Sequence, residues 1–461
     1  MSLVLPLTTM EEFLFWEDRP AYPWCCFVRM RFAGQLERTA LEAALRTTLQ
    51  RHPLLSSIVQ KRGRKRLVWV AVTNPEPRIE WQSGPTGGHF PPASHLDLQQ
   101  EIGCRFHVVV DDQASDLVIQ FHHACCDAAG MFVFFHDLLL AYALAQGANP
   151  ERVRLLPIDQ QLLAGRGRYG LTLGQLLRML PKQLVGLQGV RQFLMRTPCP
   201  VIPHQVCDNE VPPPAEYPAV LGRVFDIQDT VALQTAAVQL GVTANDLLIR
   251  DLFLALAEWR TRQQVPADDG WLRMMIPMNL RTAQDRELPA ANVVSSVFLD
   301  RRGPDFSDPE RLLRSIHDEM ELIKRNQLGY TFVFSTQLIR LLPGGLRKQV
   351  RADKCTVSCV FANLGKLTAR TSLPRRGGCV VAGNVSLREL DLVTPIRPYA
   401  CVALNAAIYT RKLFISLHYD PRPLTAAQAV DLLDTFERRI RASLATVKER
   451  GLSAAGEDPE E

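Results

Sequence analysis

The sequence predicts an α/β protein built as two similar halves, and three observations lead there. The chain has 461 residues, long enough for two or three domains or for one large two-lobed enzyme. Strand-like and helix-like segments alternate along it, the order expected of an α/β fold. The alternation lapses between about 147 and 215, where Pro and Gly punctuate the chain, and then restarts in the same style. Apolar residues make up 47% and charged residues 22%, an ordinary globular composition that excludes whole-chain disorder. Lys and Arg exceed Asp and Glu by 53 − 48 = +5, too small a charge on this length to mark a nucleic-acid binder.

The elements follow in order. After an irregular start, Leu41, Ala44, Leu45, Thr48 and Leu49 lie at helical spacing and make an amphipathic helix that Pro53 ends. Strands are predicted at Leu67–Val72, Arg105–Val110 and Leu117–Phe121, the last with Leu117, Ile119 and Phe121 on one face. A helix from Gly130 to Ala145 closes this segment. In the connection, basic residues outnumber acidic ones between Glu151 and Arg196. There Leu173, Leu176, Leu177 and Leu180, with Arg178, Lys182 and Arg191, form a basic amphipathic helix. It is read either as a crossover helix packed on the body or as a helix lying on a lipid surface. The second half brings a strand at Val220–Phe225, a helix from Thr230, and a helix start at Thr243-Ala-Asn-Asp246, whose spacing suits a capping box. Strands are expected at Leu272–Ile276, Val293–Leu299, Val357–Phe361, Cys379–Val381, Cys401–Ala407 and Leu413–His418. Helices are expected near 309–326, 333–341 and 425–448. This divides the chain into a first lobe at 1–165, a connection at 166–215, a second lobe at 216–449 and a polar, acidic, disordered tail at 450–461.

The 11 Cys residues stand singly or as adjacent pairs, and the first residues lack a signal-peptide pattern. Reduced thiols and a cytoplasmic location are expected, with peripheral membrane contact through the basic helix as the variant. The apolar stretch Met131 to Ala145 is broken by His136 and Asp137, short of the ~20 residues of a membrane span.

The chemistry concentrates in Phe121-His122-His123-Ala124-Cys125-Cys126-Asp127-Ala128-Ala129-Gly130, between an alternating strand and an apolar helix. In a strand His122 and His123 point to opposite faces, so one can be buried while the other faces a cleft. An imidazole titrates near neutrality and can take the proton of a hydroxyl or amine as it attacks an acyl carbon. The competing structural reading is a pair of core histidines. A metal is not expected, because five donors packed into six residues cannot converge on one tetrahedral centre. Gly165-Arg-Gly-Arg-Tyr-Gly170 matches the dinucleotide fingerprint in letters only, since no strand precedes it; it reads as basic linker. Motifs of serine hydrolases, P-loop nucleotidases and zinc peptidases are missing from the sequence. His52 and His418 read as cap or packing residues.

The His-His-x-x-x-Asp string resembles the active-site motif of the CoA-dependent acyltransferase superfamily. Chloramphenicol acetyltransferase, condensation domains of peptide synthetases, polyketide-associated acyltransferases and wax ester synthases are members. The resemblance continues in Pro6 to Phe15, in Leu36 to Leu55, in Thr243 to Leu248, in Pro277-Met-Asn-Leu-Arg281 and in Phe361-Ala-Asn-Leu-Gly365. It implies two chloramphenicol acetyltransferase-like lobes, each a mixed sheet flanked by helices, with the active site in a tunnel between them. It also implies that His123 is the base, that His122 supports it, and that Asp127 is structural and pairs with an Arg, here Arg281. Gly130 belongs to the same turn; Asn245, Asn363 and Gly365 are implied near substrate.

By that resemblance the chain is an acyltransferase. It moves an acyl group from a CoA thioester, or from a carrier protein's phosphopantetheine arm, to a hydroxyl, with no tightly bound cofactor. The alternatives are a condensation-type enzyme that forms an amide on an amine acceptor, and a non-catalytic relative that binds a ligand between its lobes. Two departures bear on this. Ala128 stands where the superfamily has Gly, and Gly103-Cys-Arg-Phe-His107 stands where wax ester synthases carry Pro-Leu-Trp.

Overall fold

A computed structural model describes residues 3–454, apart from 64–65, 89, 93, 267–269, 352–353 and 369–370. Two mixed sheets flanked by helices form the body. The first runs in the order Arg375–Arg376, Cys379–Ala382, Val385–Val393, Cys25–Ala33, Ala114–His122, Cys104–Val110, Ile79–Ser83. The second runs Val294–Arg301, Leu272–Asn279, Cys359–Lys366, Val402–Tyr409, Lys412–Tyr419, Ala219–Phe225. A small third sheet joins Val4–Pro6, Arg66–Ala71 and Ser57–Arg62. Each main sheet has its own buried apolar cluster.

The linear division into lobes is crossed within the first sheet. Val385–Val393 pairs antiparallel with Cys25–Ala33, with Leu390 opposite Met30 and Leu392 opposite Val28. Residues 375–393, inside the expected second lobe, therefore complete the first sheet. The start of the chain is also more ordered than expected. Thr9–Glu17 is a helix with a capping box between Thr8 and Glu11, and Cys25–Ala33 is an interior strand.

The strand Ala114–His122 lies between Cys25–Ala33 and Cys104–Val110. The helix Ala128–Ala145 follows after a five-residue turn and packs beside Arg38–Arg51. By length and composition this helix is apolar enough to cross a membrane, but 61% of it is buried inside the fold, which makes it a core helix. The basic linker at 160–170 is in part a buried anchor. Gln160–Arg168 forms 3₁₀ turns, and the Arg166 guanidinium pairs at 2.6 Å with Glu11, both side chains buried. The acidic tail expected from 450 starts inside the helix Ala426–Ala454; its residues 455–461 lie outside the described residues.

Candidate active site

The motif strand ends at His122 and the turn begins at His123. The turn is held on both sides, since His123 N–H donates to Trp24 O at 2.9 Å and His122 N–H to Gly103 O at 3.0 Å. His122 is buried at 1% exposure, and its Nδ1 accepts from Ala124 N–H at 3.0 Å. That places its proton on Nε2, 3.5 Å from Asp18 Oδ2. Asp18 also meets His95 Nε2 at 2.5 Å and accepts from Trp24 N–H at 2.7 Å. Burial opposes ionisation of Asp18, but its contacts with His122 and His95 outweigh it and hold its carboxyl well below the usual carboxylate range. His122 is thus a fixed strut whose ring is oriented from both nitrogens.

His123 is different. It is only partly buried, its ring lies nearly parallel to Trp24 with centroids 6.3 Å apart, and its Nδ1 is enclosed without a hydrogen-bond partner. Burial pushes its imidazole below the usual value, a shift that the Asp127 charge only partly offsets. The ring is therefore neutral at neutral pH, the form that accepts a proton. Asn292 pins the backbone beneath it, its Nδ2 donating to His123 O at 2.8 Å and to Ala124 O at 2.7 Å.

Asp127 caps the helix Ala128–Ala145, accepting from Gly130 N–H at 2.8 Å. Its other oxygen accepts from Arg281 Nη1 and from Val293 N–H, each at 2.8 Å. Arg281 Nη2 donates to Ala291 O at 2.8 Å. The guanidinium thus bridges the motif to the segment 290–293, which leads into the strand Val294–Arg301 of the other sheet. Gly130 is what lets that segment approach. A Cβ there would lie 2.7 Å from Ala291 O and 2.8 Å from Ala291 N. His52 holds the same segment from behind, its Nδ1 accepting from Ala290 N–H at 2.9 Å.

The structure thus brings His122, His123, Asp127, Gly130 and Arg281 together. Asn245, Asn363 and Gly365 form a second group. Asn363 Nδ2 donates to Asn245 Oδ1 at 3.1 Å, and Asn363 Oδ1 accepts from Gly365 N–H at 3.0 Å, with Gly365 at φ +65°. Among the described residues no hydrogen bond links this group to the motif. Ala128, which departs from the superfamily pattern, occupies the first position of its helix without a positive φ, so its backbone does not call for glycine. Asp18, His95, Trp24 and Asn292 escaped the sequence reading, since no local pattern marks residues that converge only through the fold. Among the described residues no group of three or more His, Cys, Asp or Glu side chains is placed to share a metal ion. A cavity of about 410 Å³ lined by Leu254, Glu258, Arg260 and Arg439 lies in the second half and includes none of the motif residues.

No family model matches the chain. The uncharacterized proteins Rv2305 and MT2362, from two strains of Mycobacterium tuberculosis, are each 24% identical over 403 residues, 82% of this chain and 86% of theirs. Among solved structures, the first condensation domain of the CDA synthetase superposes with a TM-score of 0.69 at 13% identity, over 96% of both chains. Polyketide synthase associated protein 5 from Mycobacterium tuberculosis superposes with 0.62 at 15% identity, over 97% of this chain and 99% of that one. The starter condensation domain of rhizomide synthetase, in complex with C8-CoA, gives 0.66 at 12% identity over 96% and 95%. Such likeness at such low identity is a likeness of architecture: the chain has the fold of condensation domains and of a polyketide synthase associated protein, the fold implied by its resemblance to the CoA-dependent acyltransferase superfamily.

Proposed function

We propose that the protein transfers an acyl group from a thioester, of CoA or of a carrier protein's phosphopantetheine arm, to a hydroxyl acceptor, with His123 as the general base. One observation carries this reading. His123 is a neutral imidazole with one nitrogen enclosed, stacked against Trp24 and fixed through its backbone by Asn292, in a fold shared with condensation domains. The starter condensation domain with the same fold was solved with C8-CoA, which supports a thioester as the cosubstrate.

In the reaction the acceptor oxygen attacks the thioester carbon while its proton passes to the Nε2 of His123. The C–O bond forms and a tetrahedral intermediate results. Its collapse breaks the C–S bond, and the proton held by His123 passes to the departing thiolate, leaving free thiol and ester. Proton transfer of this kind is worth roughly 10²–10⁴-fold in rate. The proposal gives Asp127 and Arg281 the task of holding the turn, His122 that of supporting it, and Asn245, Asn363 and Gly365 a place along the substrate path.

The condensation-domain likeness favours one second reading, amide formation on an amine acceptor from carrier-bound partners. The test is thiol release from short- to long-chain acyl-CoA thioesters and from acylated carrier protein, each offered with alcohol and with amine acceptors. Wild type is compared with His123→Ala. Release that needs an alcohol and is nearly lost in a folded His123→Ala supports ester formation. Release that needs an amine assigns the second reading. Failure of every donor and acceptor pair, or a variant that keeps most of its turnover, removes the mechanism and leaves a ligand-binding relative.

A further inference from the structure

The helix Leu173–Met195 in the connection attaches to the body by one face only. Met179 and Gly186 are buried on that face, and Gln183 Oε1 accepts from Thr331 Oγ1 at 2.8 Å. A Cβ on Gly186 would reach within 2.6 Å of the same Thr331 hydroxyl, and Phe193 packs on Phe298 with centroids 4.8 Å apart. The opposing surface of an ordinary body helix is polar. Here it carries Leu177, Leu180, Leu184, Leu187 and Leu194, between 59% and 74% exposed. Steps of three, four and seven residues align these side chains into one stripe.

Charge is the second observation. The helix bears Arg178, Lys182 and Arg191, all exposed, and no acidic residue. Among the described residues none of the three cations is in an ion pair; Arg191 donates only to Met195 Sδ. The neighbouring helix Gly329–Leu341, joined to it at Thr331, repeats the composition. Leu338 and Leu341 are exposed and acidic residues are missing from it as well, while its one basic residue, Arg340, pairs with Glu12 of the helix Thr9–Glu17 at 2.9 Å. The turn beyond it adds exposed Leu342, and the short helix Gly345–Val350 adds Arg347 and Lys348.

We propose that this surface docks onto an anionic lipid bilayer, the leucines entering the acyl boundary and the cations resting at the phosphates. Exposed leucines together with the unpaired cations of Leu173–Met195, a helix without a carboxylate, are what such an interface requires. Charge argues against a second copy as the occupant, because Arg191 lies on the stripe itself, four residues after Leu187 and three before Leu194, and pairing the stripe with itself would bury that cation among leucines. The inference does not rest on acyl transfer, since binding is scored without turnover.

The experiment is co-sedimentation of the full chain with vesicles of phosphatidylcholine alone and of phosphatidylcholine with phosphatidylglycerol. Wild type sediments with the anionic vesicles, and less so as salt rises. Leu180→Ser/Leu184→Ser/Leu187→Ser loses at least about ten-fold in bound fraction. Arg178→Gln/Lys182→Gln/Arg191→Gln loses its preference for the anionic vesicles. All six positions are exposed, so both variants keep the wild-type circular dichroism, which is recorded alongside. Wild type that stays in the supernatant, or a leucine variant that binds as wild type does, overturns the proposal. So does a wild-type dimer that the leucine substitutions convert to monomer without any vesicle binding, which assigns the stripe to a second copy.

Discussion

At the scale of single residues the site separates two histidines by what each ring nitrogen touches. His122 has a donor on one nitrogen and a carboxylate near the other, so it is held. His123 has an enclosed nitrogen with no partner and an imidazole driven below its usual value by burial, so it stays neutral as the pH falls past ~6.5, where an ordinary histidine protonates. The sign follows directly. The proton-accepting form persists to more acidic pH than in a free imidazole, and the acid limb of kcat/KM lies below ~6.5. A pH profile of thiol release measures it, and a limb at or above ~6.5 would place the titrating group elsewhere. Asp127 and Arg281 form the second residue-scale unit, 6% and 14% exposed and 2.8 Å apart. Removing one partner leaves the other buried and unpaired, which costs about 3–5 kcal/mol. Asp127→Ala should lower unfolding free energy by that order, while Asp127→Ala/Arg281→Ala costs less than the sum of the single changes. Denaturant unfolding of the four proteins reads the coupling.

At the scale of elements, the turn that carries His123 is clamped by the segment 290–293, and Gly130 and Asn292 are the points of contact. Gly130→Ala puts a methyl against the backbone of Ala291. Either the helix Ala128–Ala145 or the segment must move, at about 1–3 kcal/mol, and thiol release should fall because Asn292 then loses its grip on His123. Ala128→Gly is the contrasting case. Its residue sits in regular helix, so the change costs no more than ~1 kcal/mol and leaves release close to wild type, despite restoring the superfamily's residue. Much of this level was legible in the sequence. Leu117, Ile119 and Phe121 announced the motif strand, and the stripe from Leu41 to Leu49 announced the helix Arg38–Arg51, because in both the pattern that matters is local. The strand Cys25–Ala33 was not legible. Val28, Met30 and Phe32 alternate with Arg29 and Arg31, whose partners Asp391, Asp116 and Glu389 come from distant strands. Read alone, those arginines look like solvated loop. The same reason hid Asp18 and Asn292, whose roles exist only once the helix Thr9–Glu17 and the segment 290–293 arrive at the turn.

At the scale of the whole molecule the two halves interlock rather than abut. Val385–Val393 leaves the second half to pair along Cys25–Ala33. The buried cluster of the first sheet contains Leu280, Ala290, Ala291, Val293 and Val360 from beyond the connection. Arg422, in the last quarter of the chain, donates to Ala21 O at 3.0 Å and lies 4.3 Å above the Tyr22 ring. A fragment ending at residue 215 would therefore keep the motif but lose the neighbour of its central strand, the cation for Asp127 and part of its core. An unpaired strand edge and an orphaned buried carboxylate both destabilise, and the first invites aggregation. Residues 1–215 alone should show no cooperative thermal transition, whereas the full chain should unfold with its two sheets melting together. Calorimetry of the full chain, with tryptophan fluorescence followed separately for Trp24 and for Trp259 through single-tryptophan variants, compares the sheets directly. Coincident midpoints are expected. Midpoints well apart, together with a cooperative melt of 1–215 near that of the full chain, would mean that the lobes are independent and that the crossing strand contributes little. In that case the ion pair of Asp127 with Arg281 would become a contact between separate bodies, and its coupling energy should fall toward that of an exposed pair, ~0–1 kcal/mol.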